Sequence, residues 1–482
     1  MTYDIEHFME NLPSAKIAVI GLGISNLPLI RFLNRSGAHH ITAYDKYENT
    51  QIRETITTLR SEGLICDAVT GETYLDGIAG ERYDIIFKAP AIRPDLPQLR
   101  SAIANGAFLT SEMELFFALC PCKIYGVTGS DGKTTTTTLI WKLLSAHYAK
   151  SNTKVWLGGN IGSPLIDILP EIKPEDVAVV ELSSFQLMTM HKSPDVSVIT
   201  NISPNHLDIH KDYEEYIEAK KNIYRYQKKD GILVLNALND ITKKIAENCL
   251  SEGRRVRLFS AYLDKKSSFD ARAEGCGYLK DGELVYLSSL YNYRLDRNLL
   301  RVPGLFNAEN LLTAISACAG VITESDIIET VSDFSGVEHR LEFVRELRGV
   351  KYYNSSIDSS PNRTLHTLSV FDGNIVLIAG GKDKNIPYDA IGPAICQKVK
   401  VLILTGPTAE KIEAAVTAAS CPQSGNIRIF HFKNYQDAVK CAYHNSISGD
   451  VVLLSPASTS FDAFKNFEER GNLFKSLVAS LE

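Results

Sequence analysis

The stretch YGVTGSDGKTTTTT at residues 125–138 contains the residue types that hold phosphate groups. Backbone N–H groups at the start of a helix attract anions, the Lys133 ammonium can neutralise phosphate charge, and the Thr134 hydroxyl can ligate magnesium. The gap of two residues between Gly129 and Gly132 is shorter than in the usual phosphate loop. Because a strand-like segment precedes this turn and a helix-like segment follows it, the pattern favours a nucleotide site over an ordinary turn with an exposed lysine.

Further polar residues end, or lie just beyond, apolar segments that predict strands. Glu181 ends the segment VAVVE, and His206 and Asp208 lie in the loop after VSVIT. Because ligands of α/β proteins bind at the carboxyl ends of parallel strands, Glu181 is a candidate magnesium ligand. Lys220 lies in the amphipathic segment 214–229. Considered alone, Glu181 would be a surface acid, His206 a structural histidine and Lys220 part of a solvated helix face.

Composition limits the classes of function. The chain has 482 residues, of which 44% are hydrophobic and 22% charged, and this is ordinary for a globular protein of two or three domains. Its net charge of -6 gives no general attraction to nucleic acid or to anionic membranes, so we expect neither as a partner. Nine scattered cysteines, no signal-peptide pattern and no apolar run of membrane-span length predict a reduced, cytoplasmic protein, which we expect to be a monomer.

Short apolar runs alternate with amphipathic stretches, which predicts an α/β protein with parallel sheets covered on both faces. The predicted strands are residues 17–21, 41–45, 85–89, 123–127, 177–181, 196–200, 232–235, 374–379, 401–405 and 451–455. The alternation predicts three domains, at residues 1–110, 111–336 and 337–482. Residues 253–300 are richer in polar residues and turns, and we interpret them as an excursion or a small subsheet of the second domain.

The segment TGSDGKTTT resembles the shortened phosphate loop of the Mur ligases and folylpolyglutamate synthases. These enzymes use ATP to join an amino acid to a carboxylate. The resemblance implies a degenerate Rossmann-like first domain that binds UDP, a central ATPase-type domain with a phosphate loop and a mixed or parallel sheet, and a Rossmann-like third domain that binds the amino acid. With FNAENLLTAI and the HRLE signature, it implies an ATP site of Gly129, Ser130, Asp131, Gly132, Lys133, Thr134, Thr135, Asn307, Asn310 and Arg340.

The same resemblance implies two magnesium ions. Thr134 and Glu181 would hold the first, while His206 and a carbamylated Lys220 would hold the second. A desolvated lysine has a lowered pKa and hence a reactive amine, and its carbamate would offer anionic oxygen to magnesium. Lys133, His206 and Lys220 are therefore the expected catalytic residues.

Five segments that carry expected substrate contacts stand out in the sequence. In the first domain, IAVIGLGISN has Asn26 where the dinucleotide fingerprint requires its last glycine, which is typical of a degenerate Rossmann-like domain that binds UDP. The other four segments are GGNIGSP, SSFQL, AGGKDKN and, towards the chain's end, LLSPASTSFDAFKNFEERGNLF. The substrate-contacting residues implied by the resemblance are Gly23, Ile24, Ser25, Asp45, Asn160, Ser183, His206, Lys384, Ser460 and Phe467.

One segment departs from the family pattern. Many family members carry Asp-Ser-Lys where NSSIDSSPNRT has Ser355 and Ile357 at the Asp and Lys positions. Only Ser359 is carried over from this segment, as a contact to the amino-acid substrate. Asp358 is displaced from the family's Asp position, and it is a candidate to compensate for it.

The ending SPASTSFDAFKNFEERG resembles that of the D-glutamate-adding branch of the Mur ligases. It implies ATP-dependent addition of D-glutamate to UDP-N-acetylmuramoyl-L-alanine through an acyl phosphate. This reaction belongs to peptidoglycan synthesis, and so to cell-wall biogenesis, cell shape and cell division. Two alternatives stay open: another amide-forming ligase of the Mur or folylpolyglutamate type, and a nucleotide-binding protein with reduced catalysis.

Overall fold

The computed structural model describes residues 5–206, 209–384, 386–419 and 427–482. The chain is an α/β protein with three sheets of mostly parallel strands. It divides into two compact units, the first containing the chain up to Leu295 and Glu309–Ile327, the second containing Asp296–Ala308 and the chain from Ile328 onward. None of the helices in the described residues is long and apolar enough to span a membrane.

The first sheet has five parallel strands in the order β3-β2-β1-β4-β5. Its strands are β1 (Lys16–Ile20), β2 (His40–Asp45), β3 (Asp67–Thr70), β4 (Ile85–Lys88) and β5 (Phe108–Thr110). The helices around it are α1 (Ile5–Glu10), α2 (Asn26–Arg35), α3 (Thr50–Ser61), α4 (Pro97–Ala104) and α5 (Glu112–Leu119). Strand β1 buries Ile17 and Val19 on one face and Ala18 and Ile20 on the other, which explains its continuous apolar sequence.

The central sheet has nine strands in the order β14-β13-β12-β11-β10-β9-β6-β8-β7. They are β6 (Lys123–Thr128), β7 (Val155–Gly159), β8 (Val177–Glu181), β9 (Val196–Ile199), β10 (Ile232–Asn236), β11 (Arg255–Ser260), β12 (Gly275–Lys280), β13 (Glu283–Ser288) and β14 (Asn292–Asp296). The associated helices are α6 (Lys133–Tyr148), α7 (Ser184–Leu187), α8 (Tyr213–Arg225), α9 (Asp240–Ser251), α10 (Leu305–Cys318) and α11 (Glu324–Asp333). Strands β6, β8 and β9 are neighbours, so the loops at their carboxyl ends meet at one edge.

The third sheet has six strands in the order β15-β16-β20-β17-β18-β19, and only the β15–β16 pair is antiparallel. They are β15 (Glu342–Leu347), β16 (Val350–Asn354), β17 (Ile375–Gly380), β18 (Val399–Thr405), β19 (Arg428–Phe432) and β20 (Val451–Leu454). Its helices are α12 (Pro361–Ser369), α13 (Gly392–Lys398), α14 (Ala409–Ala418), α15 (Tyr435–His444) and α16 (Phe467–Ala479). The central strands β17, β18 and β20 are nearly free of polar residues because both of their faces are covered.

Every strand predicted from an apolar run is present, with ends that shift by one or two residues. The interpretation of residues 253–300 as an excursion or small subsheet was wrong. Strand β11 pairs in parallel with β10, and β12 to β14 extend the central sheet to its edge. Strands β3, β5 and β19 escaped prediction because they are short or lie at sheet edges, where partial exposure removes the apolar run.

Candidate active site

The phosphate-loop segment is a sharp turn between β6 and α6. Gly129 has φ of +151° and Gly132 has φ of +77°, both of which side-chain-bearing residues rarely adopt. A Cβ atom on Gly129 would lie 1.8 Å from Thr200 Oγ1, so the turn also has no room for a side chain there. The first backbone N–H groups of α6 follow directly, which is the arrangement that binds an anion.

The loop after β9 braces this turn from the neighbouring strand. Asn201 accepts hydrogen bonds from Ser130 N on its carbonyl (2.9 Å) and from Asp131 N on its side chain (3.0 Å). The Thr200 hydroxyl donates to the Asp131 carbonyl at 2.6 Å, and the Ser130 hydroxyl donates to the Ser203 carbonyl at 2.9 Å. These nonlocal bonds fix the shape of the turn without any ligand, so little ordering remains for binding.

Two lysine ammonium groups converge on the same carbonyl oxygen of the turn. Lys133 Nζ donates to Gly129 O at 3.0 Å and to Ser130 O at 2.9 Å. Lys220 Nζ, from the middle of α8, donates to Gly129 O at 2.8 Å and to Thr128 Oγ1 at 3.2 Å. The turn and α8 thereby place two cationic side chains at the position where phosphate charge is expected.

Lys220 is one of the most buried charged side chains, with 1% of its surface exposed. Burial holds the pKa of its amine well below the ordinary lysine value, and the nearby charge of Lys133 lowers it further. The ammonium also lies 4.7 Å from the centre of the Tyr216 ring, one helical turn earlier. A lowered pKa favours the unprotonated amine that the expected carbamylation requires.

Glu181 provides an oxygen suited to a divalent cation. Its side chain is buried, and Asn160 Nδ2 donates to Oε1 at 2.9 Å. The other oxygen, Oε2, is buried and has no hydrogen-bond partner among the described residues. Such an oxygen fits a hard cation like magnesium. Among the described residues, no group of three or more His, Cys, Asp or Glu side chains is placed to hold a metal ion.

His206 and Ser183 lie on the same edge of the sheet. His206 is exposed, has φ of +54°, and its ring lies edge-on to the Phe185 ring at 5.2 Å between centres. Ser183 caps the short helix α7 and forms a reciprocal capping box with Gln186. Asp208 lies outside the described residues.

Asn310 lies against the phosphate-loop turn, while Asn307 is held by its own helix start. Thr136 Oγ1 donates to Asn310 Oδ1 at 3.3 Å, and a Cβ on Gly132 would come within 2.4 Å of that same oxygen. Asn307 Nδ2 donates to Pro303 O at 2.6 Å, which is a local contact at the start of α10. A local bond from the side chain to the backbone carbonyl four residues earlier therefore holds Asn307 in this structure.

The carboxyl edge of the first sheet has a second glycine loop. Asp45, buried at the end of β2, accepts from Leu22 N at 2.8 Å and from Tyr47 N at 2.9 Å. Asn26 stands at the position of the missing glycine, and its amide donates to Ile20 O and Gly21 O. Ser25 is the residue before α2, and Gly23 and Ile24 form the tip of the loop, where Ile24 is 80% exposed.

In the third sheet's unit, two of the predicted amino-acid contacts lie side by side. Lys384 Nζ donates to Ser359 Oγ at 3.4 Å. Ser460 is buried just before the segment that leads to α16, and Phe467 is the first residue of that helix. The Phe467 ring lies edge-on to the buried His339 ring at 5.9 Å, and Arg340, the next residue, is exposed.

Asp358 does not replace the missing family aspartate. Its carboxylate is buried and accepts from Thr367 Oγ1 and from Ser455 Oγ, each at 2.7 Å. Burial raises the pKa of this carboxyl above its ordinary value. The side chain is thus committed to the interior of its own unit, and the idea that it compensates for Ser355 is wrong.

Sequence reasoning missed residues whose role depends on nonlocal contacts. Asn201 and Thr200 brace the phosphate-loop turn, yet in sequence Thr200 looks like the end of a strand and Asn201 like an ordinary loop residue. Tyr216 carried a usable signal because it precedes Lys220 by one helical turn on the same face. Arg470, in the ending, is 1% exposed and donates to Ser356 Oγ and to the carbonyls of Ser356 and Ser458, so it holds that region together.

Two family models match the chain. Residues 127–318 match the Mur ligase middle domain, and residues 339–458 match the Mur ligase, glutamate ligase domain. Relatives named UDP-N-acetylmuramoylalanine–D-glutamate ligase come from Acetivibrio thermocellus, Ruminiclostridium cellulolyticum and Clostridium tetani. They are 46%, 45% and 44% identical to this chain, and each alignment covers 100% of both chains.

Solved structures share the fold at low identity. UDP-N-acetylmuramate-alanine ligase from Thermotoga maritima has a TM-score of 0.54 at 18% identity, covering 97% of this chain and 99% of that one. A pseudomurein peptide ligase type C from Methanothermus fervidus has a TM-score of 0.51 at 18% identity, covering 97% and 100%. Together with the two family models and the full-length relatives, the three-sheet fold identifies this chain as a member of the Mur ligase family.

Proposed function

We propose that this chain uses ATP to add D-glutamate to UDP-N-acetylmuramoyl-L-alanine, a step of peptidoglycan precursor synthesis. Relatives 44 to 46% identical over the full length are named for this D-glutamate ligation. The observation that carries the proposal is the braced turn at Gly129 on which Lys133 and the buried Lys220 converge. It offers helix N–H groups and the Lys133 ammonium where a nucleoside triphosphate would place its phosphates, with Lys220 beside them as the site of the proposed carbamate.

The proposed reaction has two steps. The substrate's carboxylate attacks the γ-phosphorus of ATP, forming an acyl phosphate and releasing ADP. The amine of D-glutamate then attacks the acyl carbon, loses a proton, and expels inorganic phosphate to leave an amide. Neither step attaches a protein residue to the substrate, so the protein acts mainly by positioning groups and by neutralising charge.

The residues of the central sheet would act on the phosphates and on the acyl group. Lys133 and the N–H groups of 129–135 would hold the triphosphate, and Asn160 would contact the acyl substrate. Thr134, Glu181, His206 and a carbamylated Lys220 would hold two magnesium ions, which spread the negative charge of the transferred phosphoryl group. The partnerless Oε2 of Glu181 supports its part in this set.

The other two sheets would supply substrate recognition. In the proposed division, residues 1–110 bind the UDP moiety through Gly23, Ile24, Ser25 and Asp45. Residues 111–336 bind ATP, with Asn307 and Asn310 near the adenine. Residues 337–482 bind D-glutamate through Ser359, Lys384, Ser460 and Phe467, while Arg340 bridges phosphate. The Lys384–Ser359 contact of 3.4 Å supports a paired role, because an ammonium beside a hydroxyl suits a carboxylate ligand. We further propose a cytoplasmic monomer.

The test is phosphate release from ATP with UDP-N-acetylmuramoyl-L-alanine, with and without D-glutamate, together with the product's mass. We expect release that depends on D-glutamate and a product heavier by one glutamyl residue. Turnover only with lysine or diaminopimelate would keep the ligase class and overturn the amino-acid assignment. ATP binding without turnover for any amino acid would favour a binding protein with reduced catalysis.

A paired variant tests the amino-acid site separately. Lys384→Met should raise the KM for D-glutamate about 10-fold or more and leave the KM for ATP unchanged, because one charge-assisted contact is lost. Lys382→Met is the matched control, since Lys382 is also an exposed lysine of the AGGKDKN loop. Equal effects of the two substitutions would argue against the role proposed for Lys384.

A further inference from the structure

Arg93 lies in the loop that follows β4, next to the glycine loop of the first sheet. Ala89, at the start of this loop, donates its N–H to Ile20 O at 2.8 Å. A Cβ on Gly21 would lie 2.8 Å from the Ala89 Cβ, so the two loops are in tight contact. A change in the loop expected to hold the nucleotide substrate therefore reaches the segment that carries Arg93.

All five N–H bonds of the Arg93 guanidinium are used. Its Nε donates to Asp95 Oδ1 at 2.8 Å, and one terminal nitrogen donates to Asp95 Oδ2 and Glu215 Oε1, both at 2.9 Å. The other terminal nitrogen donates to Glu215 Oε2 at 3.1 Å and to Ile209 O at 2.6 Å. The Arg93 hydrogen bond is also the main cause that lowers the pKa of Glu215 to about 2, so this carboxylate stays ionised at neutral pH.

These bonds hold two parts of the candidate active site. Glu215 lies in the first turn of α8, the helix that carries Lys220. Ile209 belongs to the same turn as His206, because Ile209 N and His210 N donate to His206 O at 3.1 and 3.0 Å. The Arg93 guanidinium thus forms hydrogen bonds both to α8, which carries Lys220, and to the turn that contains His206 (the histidine turn).

His210 extends the network toward the end of β8. It is buried, and its Nδ1 lies 3.3 Å from Glu215 Oε2 while its Nε2 lies 3.0 Å from Ser184 Oγ. Its ring stacks on Phe185 at 5.1 Å between centres with an interplanar angle of 9°. Since Phe185 also contacts the His206 ring, the position of His206 depends on packing that begins at Glu215.

We infer that Arg93 is a positioning residue that couples the substrate loop of the first sheet to the alignment of His206 and Lys220. The inference rests on the proposed function. It concerns residues that contact neither ATP nor the amino acid in that proposal. Arg93, Glu215 and His210 would act through the two residues that they hold in place. A misplacement of about 1 Å at a reacting centre can lower the rate about 100-fold, so such a network has a measurable consequence.

The chain contains a natural comparison to this network. Arg35 of α2 pairs with Asp167, and this contact also joins the first sheet's helices to the central region. Its partners are exposed, at 57% and 46%, whereas Arg93, Asp95 and Glu215 are 23 to 24% exposed. Exposed pairs contribute little to stability, and the bonds that Arg35 forms among the described residues go to the carbonyl and carboxylate of Asp167.

The test compares Arg93→Lys and Glu215→Gln with Arg35→Ala. Lysine keeps the positive charge of Arg93 but cannot form the fork of bonds. We expect both network variants to lower kcat for D-glutamate-dependent phosphate release about 10-fold or more. We also expect the KM for ATP to stay near the wild-type value and the half-saturating magnesium concentration to rise. Arg35→Ala should leave all three unchanged.

Hydrogen–deuterium exchange supplies a readout that needs no activity. In Arg93→Lys the amides of 209–216 should exchange faster than in wild type and in Arg35→Ala. UDP-N-acetylmuramoyl-L-alanine should slow this exchange in wild type but not in Arg93→Lys. Wild-type kcat and wild-type exchange in both network variants would overturn the inference. So would a lower melting temperature with unchanged kcat. If wild type itself lacks ligase activity, the proposed function fails, while the exchange comparison still decides the coupling.

Discussion

The carboxyl edges of the first and central sheets are built from the same three parts. Each has a glycine loop after its first strand, an acid at the end of a neighbouring strand, and a buried lysine. In the first sheet these are the loop at Gly23, Asp45 and Lys88. In the central sheet they are the loop at Gly129, Glu181 and Lys220.

The two edges differ in how these parts are used. Both carboxylate oxygens of Asp45 accept hydrogen bonds from backbone N–H groups, whereas Oε2 of Glu181 has no hydrogen-bond partner among the described residues. Lys88 forms only long bonds of 3.5 Å, to Ala89 O and Pro90 O, and no ion pair in the described part of the chain. Lys220 instead lies near the charges of Lys133 and Glu181.

Under the proposed division of roles, burial and a lowered lysine pKa would not by themselves mark a catalytic group. Both lysines are 1% exposed, and burial lowers the pKa of each. What distinguishes Lys220 is the set of charged and unsatisfied groups around it. The carboxyl edge of the central sheet is then suited to bind phosphate together with a cation.

The largest expected effect comes from exchanging the two lysines for methionine. Lys220→Met should lower D-glutamate-dependent phosphate release about 1,000-fold, because it removes a charged group at the reacting phosphate. Lys88→Met should keep activity within a few-fold, by the proposed division of roles. Lys221→Met is a control on α8, since Lys221 pairs with Glu218 on the surface. An equal loss of activity in the Lys88 variant would erase the distinction between the two edges.

The two glycine loops should also respond differently to alanine. At Gly129 a Cβ would meet Thr200 Oγ1 at 1.8 Å, and the backbone has φ of +151°. Strain of this kind costs about 1 to 3 kcal/mol, so Gly129→Ala should weaken ATP binding about 10- to 100-fold. At Gly23 a Cβ would meet nothing within 4 Å, so Gly23→Ala should leave ATP binding unchanged. Calorimetric titration with ATP measures both, and weakened binding in the Gly23 variant would contradict the comparison.

The strand-end acids provide a smaller and more specific contrast. Glu181→Gln removes the negative charge of the carboxylate whose Oε2 has no hydrogen-bond partner among the described residues. It should raise the half-saturating magnesium concentration about 10-fold. Asp45→Asn leaves a single acceptor oxygen for two backbone N–H groups, and losing one such bond costs about 1 to 3 kcal/mol. It should raise the KM for the UDP substrate without changing the magnesium requirement. A magnesium effect in the Asp45 variant would show that the first edge also handles a cation.

Local sequence predicted the elements at the carboxyl edge of the central sheet but not the side-chain contacts that join them. The turn at Gly129 was predictable because its strand, glycines and helix are contiguous, and strands such as β6 and β8 showed as apolar runs. The family resemblance, and not spacing, supplied the expectations for His206 and Lys220. Their arrangement depends on Asn201 and Arg93, which meet these elements only after folding.

In the unit that contains the third sheet, the sequence motifs were recognised but the buried positions of their polar residues were not. Its motif residues were easy to recognise in sequence, yet several of them hold the fold. Asp358 bonds to Thr367 and Ser455, and Arg470 bonds to Ser356 and Ser458. A short motif cannot indicate whether a polar side chain faces the interior or a ligand, because that depends on the packing of distant segments.

The smallest contrast concerns stability and pH at Lys88. Burial lowers the pKa of this amine from 10.5 to about 8, so between these values the unfolded chain binds more protons than the folded chain. Stability should therefore rise as pH increases through this window. At pH 7 the buried charge costs about 3 kcal/mol, and Lys88→Met should recover much of that amount. The gain should shrink from pH 8 upward and vanish above about pH 10.5.

Urea unfolding of wild type and Lys88→Met at pH 7, 8, 9 and 10 measures this change. Lys46→Met serves as the control, because Lys46 is 54% exposed and forms a surface pair with Glu72 at 3.7 Å. A gain in stability that is independent of pH would mean that methionine simply packs better than lysine. A loss at every pH would mean that the carbonyls of Ala89 and Pro90 need the ammonium. Lys88 would then support the loop that carries Arg93. The carboxyl edge of the first sheet would use its buried cation to position a neighbour, whereas Lys220, in the proposed function, would act on the reacting groups.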